Sequence, residues 1–395
     1  MKQLLAYCLS IILCVSFTGC MENYLDLYPE DKITSASFPE NESDIKLLLN
    51  GVYAQLREKE VYNQGLFGFG ITDGATPNAF NWGTDEVFNK LGAGRLSSSD
   101  GGVVTYRWKR CYEIISRANY LLACMDLVDL SEEAKAKYSG ETHFLRGLAY
   151  SVLAETYGGV PIILTDISTE EARSLKRASL EETWQQALDD YEVAITNLGV
   201  DAPEPGRATK GAALGMKMRA YLYQGKYKEV LSCVEQIDAL KKYGLFHSYE
   251  GLFDPANENN KEVLFDIQYI EGENSQGSYI DQYCGTGTGS WTRGSRYVPT
   301  DDLVAAYETI DGSPVDPENP YENRDPRLGF TAVLPGSYFL GYRFPNYLYP
   351  GGAFNHAGNR LKHLSTRKYR IQDESKLPPS GQSYINDIIL RYADV

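Results

Sequence analysis

The sequence predicts a mainly α protein whose helical pairs are interrupted by long aromatic-rich loops and a few short strands. Three observations lead there. Apolar residues recur at helical spacing through residues 45–56 and again through most of 106–241. Capping and stop signals punctuate the second stretch. From Gly65 to Gly102, and again beyond Lys242, the period disappears and glycines alternate with large aromatic side chains. With 395 residues and 43 % hydrophobic side chains, the chain has ample material for a packed core.

The first element is an address. Lys2 supplies a positive start, Leu4 to Phe17 is an apolar run of 14 residues, and Phe17-Thr18-Gly19-Cys20 closes it. The run is too short to span a bilayer as a helix but has the length of a signal-peptide core. Its end resembles a bacterial lipobox, in which the cysteine becomes the lipidated N-terminal residue. Phe17 stands where that pattern usually has Leu, and an ordinary cleaved signal is the alternative. This assigns residues 1–19 to a signal peptide, 20–42 to a lipidated polar leader and 43–395 to one α domain.

Ile45, Leu48, Leu49, Val52, Tyr53 and Leu56 form the first helical stripe, with Ser43 as its expected N-cap. Helices follow from about Tyr106 to Met125 and from Ser131 to about Tyr157, where Gly158-Gly159-Val160-Pro161 stops the second. Ser179-Leu180-Glu181-Glu182 is a capping box that opens the next helix. Two more, over 208–224 and 226–241, are split only by Gly225, a tight hairpin. The order Ala213-Leu214, Tyr221, Gly225-Lys226-Tyr227 is that of a tetratricopeptide (TPR) helix pair, and the helices from Ser131 and Ser179 make another. The insertion over 158–178 breaks a strict period, so two unrelated hairpins are the alternative.

Beyond Lys242 the sequence predicts a short strand at Val263–Ile267. Glu271 to Thr300 and the aromatic-rich Gly336 to Arg360 read as loops. The final Ile388, Ile389, Leu390, Ala393 and Val395 read as the start of an apolar helix.

Charge excludes one function class. A net charge of −15 gives no footprint for nucleic acid, whose affinity comes largely from Lys and Arg on phosphates. Tyrosine outnumbers phenylalanine 30 to 14, a bias toward rings with a polar tip that suits surfaces half apolar and half wet. Cys111, Cys124, Cys233 and Cys284 have neither zinc-site nor disulfide-scaffold spacing and read as scattered core thiols. His143 reads as a packed or surface helix residue rather than a ligand, and neither a metal site nor a cofactor is expected. Gly285-Thr286-Gly287-Thr288-Gly289 lacks the helix start of a phosphate cradle. Adjacent acids such as Asp189-Asp190 and Asp301-Asp302 read as solvated helix faces.

Several segments together carry a resemblance. Asn23-Tyr24-Leu25-Asp26, Asn50-Gly51-Val52-Tyr53, Glu141-Thr142-His143-Phe144-Leu145-Arg146 and Tyr157-Gly158-Gly159-Val160-Pro161 resemble the SusD/RagB family. So do Gly206-Arg207-Ala208-Thr209-Lys210-Gly211-Ala212-Ala213, Asp325-Pro326-Arg327-Leu328, Arg367-Lys368-Tyr369 and Arg391-Tyr392-Ala393-Asp394-Val395, in family order. The resemblance implies a SusD-like α fold with TPR-like helices over about 106–241 and a loop-rich binding region over about 65–105 and 242–385. It implies an outer-membrane surface lipoprotein, non-catalytic, that binds glycan and delivers it to a TonB-dependent, SusC-like transporter. It also implies a chain that continues past Val395, so the C-terminal part of the fold is expected to be missing here.

Sugar rings offer apolar C–H faces and a rim of hydroxyls, which aromatic platforms flanked by amides, carboxylates and guanidinium groups can hold. Trp82 with Asp73, Asn78 and Asn81, and Trp291 with Tyr283 and Arg293, are the expected ligand-binding sets. They rest on residue type and region, and loop packing is the alternative for each tryptophan. Two other functions compete: a surface glycosidase with a carboxylate pair in the loops, and a TPR-type protein scaffold.

Overall fold

The computed structural model describes residues 38–57, 73–81, 90–270, 277–278, 280, 297–344, 346, 348, 363–371, 373–379 and 382–395. Cys20 and residues 1–37 of the expected signal and leader lie outside them, as does Cys284.

Helix α1 (Glu42–Ala54) is capped by Asn41 rather than Ser43: the Asn41 side chain accepts from the backbone N–H of Ser43 and Asp44. Its stripe of Ile45, Leu49 and Val52 is fully buried. α2 (Val103–Cys124) and α3 (Glu132–Tyr157) follow, the latter capped by Ser131 and stopped at Gly158 as the sequence predicts. After a short α4 (Thr169–Ser174) come α5 (Leu180–Asn197), α6 (Lys210–Tyr223) and α7 (Tyr227–Ala239). The Ser179–Glu182 capping box is formed on both sides. Gly225, at φ +70°, makes the turn between α6 and α7 in a conformation that costs glycine little.

α3 is the central element, buried around most of its circumference from Tyr138 to Ala154. It packs on α5, α6 packs on α7, and α5 against α6 stacks the two pairs. This is the TPR-like arrangement. A Cβ on Gly147 would stand 2.9 Å from the Tyr191 ring, so the absence of a side chain there lets α3 and α5 approach closely.

The polar ties between the helices correct and extend the sequence reading. Asp190 does not lie on a solvated face: it is 1 % exposed and takes a forked salt bridge from Arg146 of α3, with Nη2–Oδ1 at 2.7 Å. Only its neighbour Asp189 is exposed. Arg146 also donates to Asn119 of α2 at 2.8 Å, and Asn119 donates onward to the Ile163 carbonyl. Tyrosine tips act as bolts inside the core. Tyr53 donates to Glu141, Tyr112 to the Pro161 carbonyl, Tyr150 to the Ile163 carbonyl and Tyr138 to Glu42. Two of these join α1 to α3, and two tie α2 and α3 to the chain that follows α3. Cys111, Cys124 and Cys233 are buried free thiols.

The strands are short. β2 (Val263–Ile267) pairs antiparallel with β8 (Asp387–Arg391), and β8 replaces the helix expected at the end of the chain. The reason is a partner that the local sequence does not reveal. Leu264 and Phe265 of β2 and Leu390 of β8 are buried in the main core, Leu390 where a Cβ on Gly215 of α6 would stand. Arg391 ties the pair by an ion pair to Glu262 at 3.2 Å.

The Gly336–Arg360 segment is likewise not all loop. β5 (Tyr338–Phe339) and β6 (Tyr342–Arg343) form a hairpin, and Phe339 and Phe344 pack with Val333 and Leu340 in a small core of their own.

Candidate functional site

The expected ligand-binding residues come from two segments far apart in sequence. Of them, Trp82, Tyr283, Trp291 and Arg293 lie outside the described residues, while Asp73, Asn78 and the backbone of Asn81 lie within them. β1 (Ala79–Asn81) pairs antiparallel with β3 (Tyr297–Pro299), Asn81 opposite Tyr297 and Ala79 opposite Pro299. Asn81 and Tyr297, the residues bonded to 82 and 296, end the ladder side by side. The two aromatic-rich segments therefore issue from the same end of one ladder, and no local sequence signal reports this. Thr300 closes the other end, its backbone N–H donating to the Asn78 carbonyl at 3.1 Å and its hydroxyl to the Pro77 carbonyl. Phe80, on β1, is 45 % exposed.

Asp73 opens a single 3-10 turn (Asp73–Ala75) just before β1. Its carboxyl is raised above the ordinary value by burial, against the pull of the Lys368 ammonium and a hydrogen bond from the Asn78 side chain. Two of the predicted polar residues are thus hydrogen-bonded, and the charge of Lys368 acts on the Asp73 carboxyl. β3 lies against β7 (Ser365–Thr366), which runs directly into Arg367, Lys368, Tyr369 and Arg370.

This basic segment forms one wall of a cavity of about 480 Å³. Phe253 and Phe330 line it with Tyr384, and Glu250, Asp254 and Lys376 stand around it. Tyr369 is held at φ +58° with its ring 4.8 Å from that of Phe253. In the sequence, Arg367-Lys368-Tyr369 stands out only through the family resemblance. Three cations within four residues were the available signal.

Behind this wall lies a group of carboxyls. Glu258 is pushed up to about 7, chiefly by burial and then by the charge on Asp266. Asp266, 3 % exposed, is raised to about 6 by burial against hydrogen bonds from Gln268 and Asn386. Asp387 reaches about 7 through burial and Asp266, offset by Lys368. Each folded value lies above the unfolded one, so the folded chain binds more protons between about pH 4 and 7. Their contribution to stability is full below the ordinary carboxylate range and is lost as pH rises through about 6–7. The melting temperature should therefore fall between pH 5 and pH 8, and Asp387→Asn should flatten that slope. A melt series in matched buffers that shows no slope would contradict the assignment. Among the described residues no cluster of three His, Cys, Asp or Glu side chains could hold a metal ion.

Comparison with known proteins settles the family. A model described as "Starch-binding associating with outer membrane", SusD-like, matches residues 23–222, and the SusD family model matches 261–395. The chain belongs to the SusD/RagB family. A SusD-like carbohydrate-binding protein of Bacteroides fragilis superposes with a TM-score of 0.78 and 26 % identity, covering 89 % of this chain and 72 % of that one. A laminarin-binding SusD-like protein shares the fold at TM-score 0.70 and 19 % identity, over 90 % of this chain and 78 % of that one. SusD-like protein P25 of Formosa agariphila is 26 % identical over 321 residues, 75 % of this chain and 58 % of the relative. This SusD-family chain thus spans under two thirds of the length of that relative. No helix among its described residues is long and apolar enough to cross a membrane.

Proposed function

We propose that this SusD-family chain is a non-catalytic glycan-binding lipoprotein of the outer-membrane surface that passes saccharide to a TonB-dependent, SusC-like transporter. The observation that carries the binding site is the β1–β3 ladder, which sends the segments bearing Trp82 and Trp291 out from one end. In this reading the aromatic side chains Trp82 and Trp291 serve one sugar chain together with Asp73, Asn78, Asn81, Tyr283 and Arg293. Similar proteins described as carbohydrate-binding and laminarin-binding support the ligand class. The family model's outer-membrane description and the Thr18-Gly19-Cys20 sequence support the location.

Removing an aromatic anchor at a binding site costs about 2 kcal/mol or more, roughly 30-fold in affinity. Trp82→Ala and Trp291→Ala should each weaken saccharide binding by that order in calorimetric titration, with melting temperatures close to wild type. Undiminished affinity, or a large fall in melting temperature, would place the rings in loop packing instead.

A further inference from the structure

We propose that the groove between α1 and α2 is the docking site for the leader of this same chain, with Ile33 seated beside Leu47 and Tyr120. A docked leader sets how near, and in which orientation, the helical body stands to the membrane. The docking needs no lipid; only that consequence rests on the lipoprotein reading.

The groove has a volume of about 510 Å³, and Phe38, Leu47, Leu48 and Tyr120 give it an apolar lining. Leu47 is 54 % exposed and Tyr120 39 %, and Leu164, two residues before the lining Asp166, is exposed as well. A single leucine in water is ordinary, but several large apolar side chains around one groove mark a surface that takes a partner. Hydrogen bonds hold the groove open in advance. Arg117 of α2 donates to the Gly51 carbonyl of α1 at 3.2 Å. Asn119 donates to the Ile163 and Thr165 carbonyls at 3.0 and 3.3 Å, which fixes the segment carrying Asp166.

Chain continuity selects the occupant. Phe38, the first described residue, is itself part of the groove wall, and Pro39 after it is buried. The leader is therefore bonded to its own site. Ile33 lies five residues upstream of Phe38, a reach of at most about 18 Å for extended chain. A segment tethered that closely meets its site at an effective concentration on the order of millimolar, so weak contacts are enough. A second copy of the chain lacks that advantage.

The side chains also match. In Asp31-Lys32-Ile33-Thr34-Ser35-Ala36-Ser37, Ile33 is the one large apolar residue, and one charge of each sign precedes it. The groove offers Leu47 and Tyr120 to the isoleucine, and Arg117 and Asp166, one charge of each sign, to the pair. Extended chain from Cys20 to Phe38 spans about 60 Å, and from Cys20 to a seated Ile33 only about 45 Å. Docking thus shortens the tether and turns the α1–α2 face toward the membrane.

The test uses the full chain. Lys32 is the only lysine or arginine between Cys20 and Lys46, so trypsin reads the leader at one bond, Lys32–Ile33. Cleavage there, followed by mass spectrometry, should be at least tenfold slower in wild type than in Leu47→Asp, an exposed substitution that should leave the melting temperature unchanged. Mild oxidation of Ile33→Cys/Leu47→Cys should form a disulfide within one chain. Ile33→Cys/Leu231→Cys, with its second thiol on the exposed face of α7, should not form one. The buried Cys111, Cys124 and Cys233 do not compete. Equal cleavage rates in wild type and Leu47→Asp, no 33–47 disulfide, or equal yields from both cysteine pairs would overturn the proposal. Disulfides between two chains would assign the groove to a second copy and overturn it too. The same protection in protein without lipid on Cys20 upholds the docking, so failure of the lipoprotein reading leaves this inference standing.

Discussion

Replacing Asp190 by alanine should destabilise the protein by about 3–5 kcal/mol, because it leaves the buried Arg146 guanidinium without its counter-ion. The pair joins α3 to α5, and through Asn119 it reaches α2 and the chain that follows α3. Both side chains are almost fully enclosed, Arg146 at 6 % and Asp190 at 1 % exposure. The loss measures an orphaned charge rather than the worth of the bridge, since desolvating two ions offsets much of their attraction. The double variant Arg146→Met/Asp190→Leu should therefore recover most of the stability. Urea unfolding of the two variants checks both statements. A single variant within about 1 kcal/mol of wild type would show that the site relaxes or admits water, and the pair would not be the tie described.

Exchanging Cys20 for alanine should move the protein from the membrane pellet to the supernatant. On the proposed lipidation, acyl chains on that residue would contribute about 0.8 kcal/mol per buried methylene, so two or more chains would make a stable anchor and none would leave almost no affinity. The described helices include no spanning candidate, and a net charge of −15 does not favour adsorption to anionic headgroups. Fractionation of whole cells followed by a high-salt wash is the check. Retention of the Cys20→Ala protein in the pellet would place the anchor elsewhere.

The helices were legible in the sequence because their evidence is local. Ser131, the Ser179–Glu182 box, Gly158 and Gly225 act within one turn of where they stand, and the apolar stripes of α1 and α5 repeat every three to four residues. What stayed hidden depends on distant partners. Ile388-Ile389-Leu390 is too short a run to tell helix from strand, and β2, more than a hundred residues earlier, decides the matter. Asp190 looks like half of an exposed acidic pair until Arg146 is placed opposite it. The tyrosine excess suggests a wet binding face, whereas Tyr53, Tyr112, Tyr138 and Tyr150 use their hydroxyls to satisfy buried or half-buried groups between helices. For the site, residue type picked out Asp73 and Asn78, which touch. It gave no hint of the three-residue ladder at β1 and β3, nor that the charge of Lys368, from another loop, would act on Asp73. Long-range pairing of such short strands has no periodicity to announce it.

The central claim is that this chain holds saccharide and does not cut it. Its most direct test is electrophoresis of the intact protein through gels containing a panel of polysaccharides, with the same mixtures assayed for new reducing ends. The account predicts retardation by at least one polysaccharide, loss of that retardation in the Trp82→Ala/Trp291→Ala double variant, and no rise in reducing ends. New reducing ends, or wild-type migration unchanged in every gel, would contradict it.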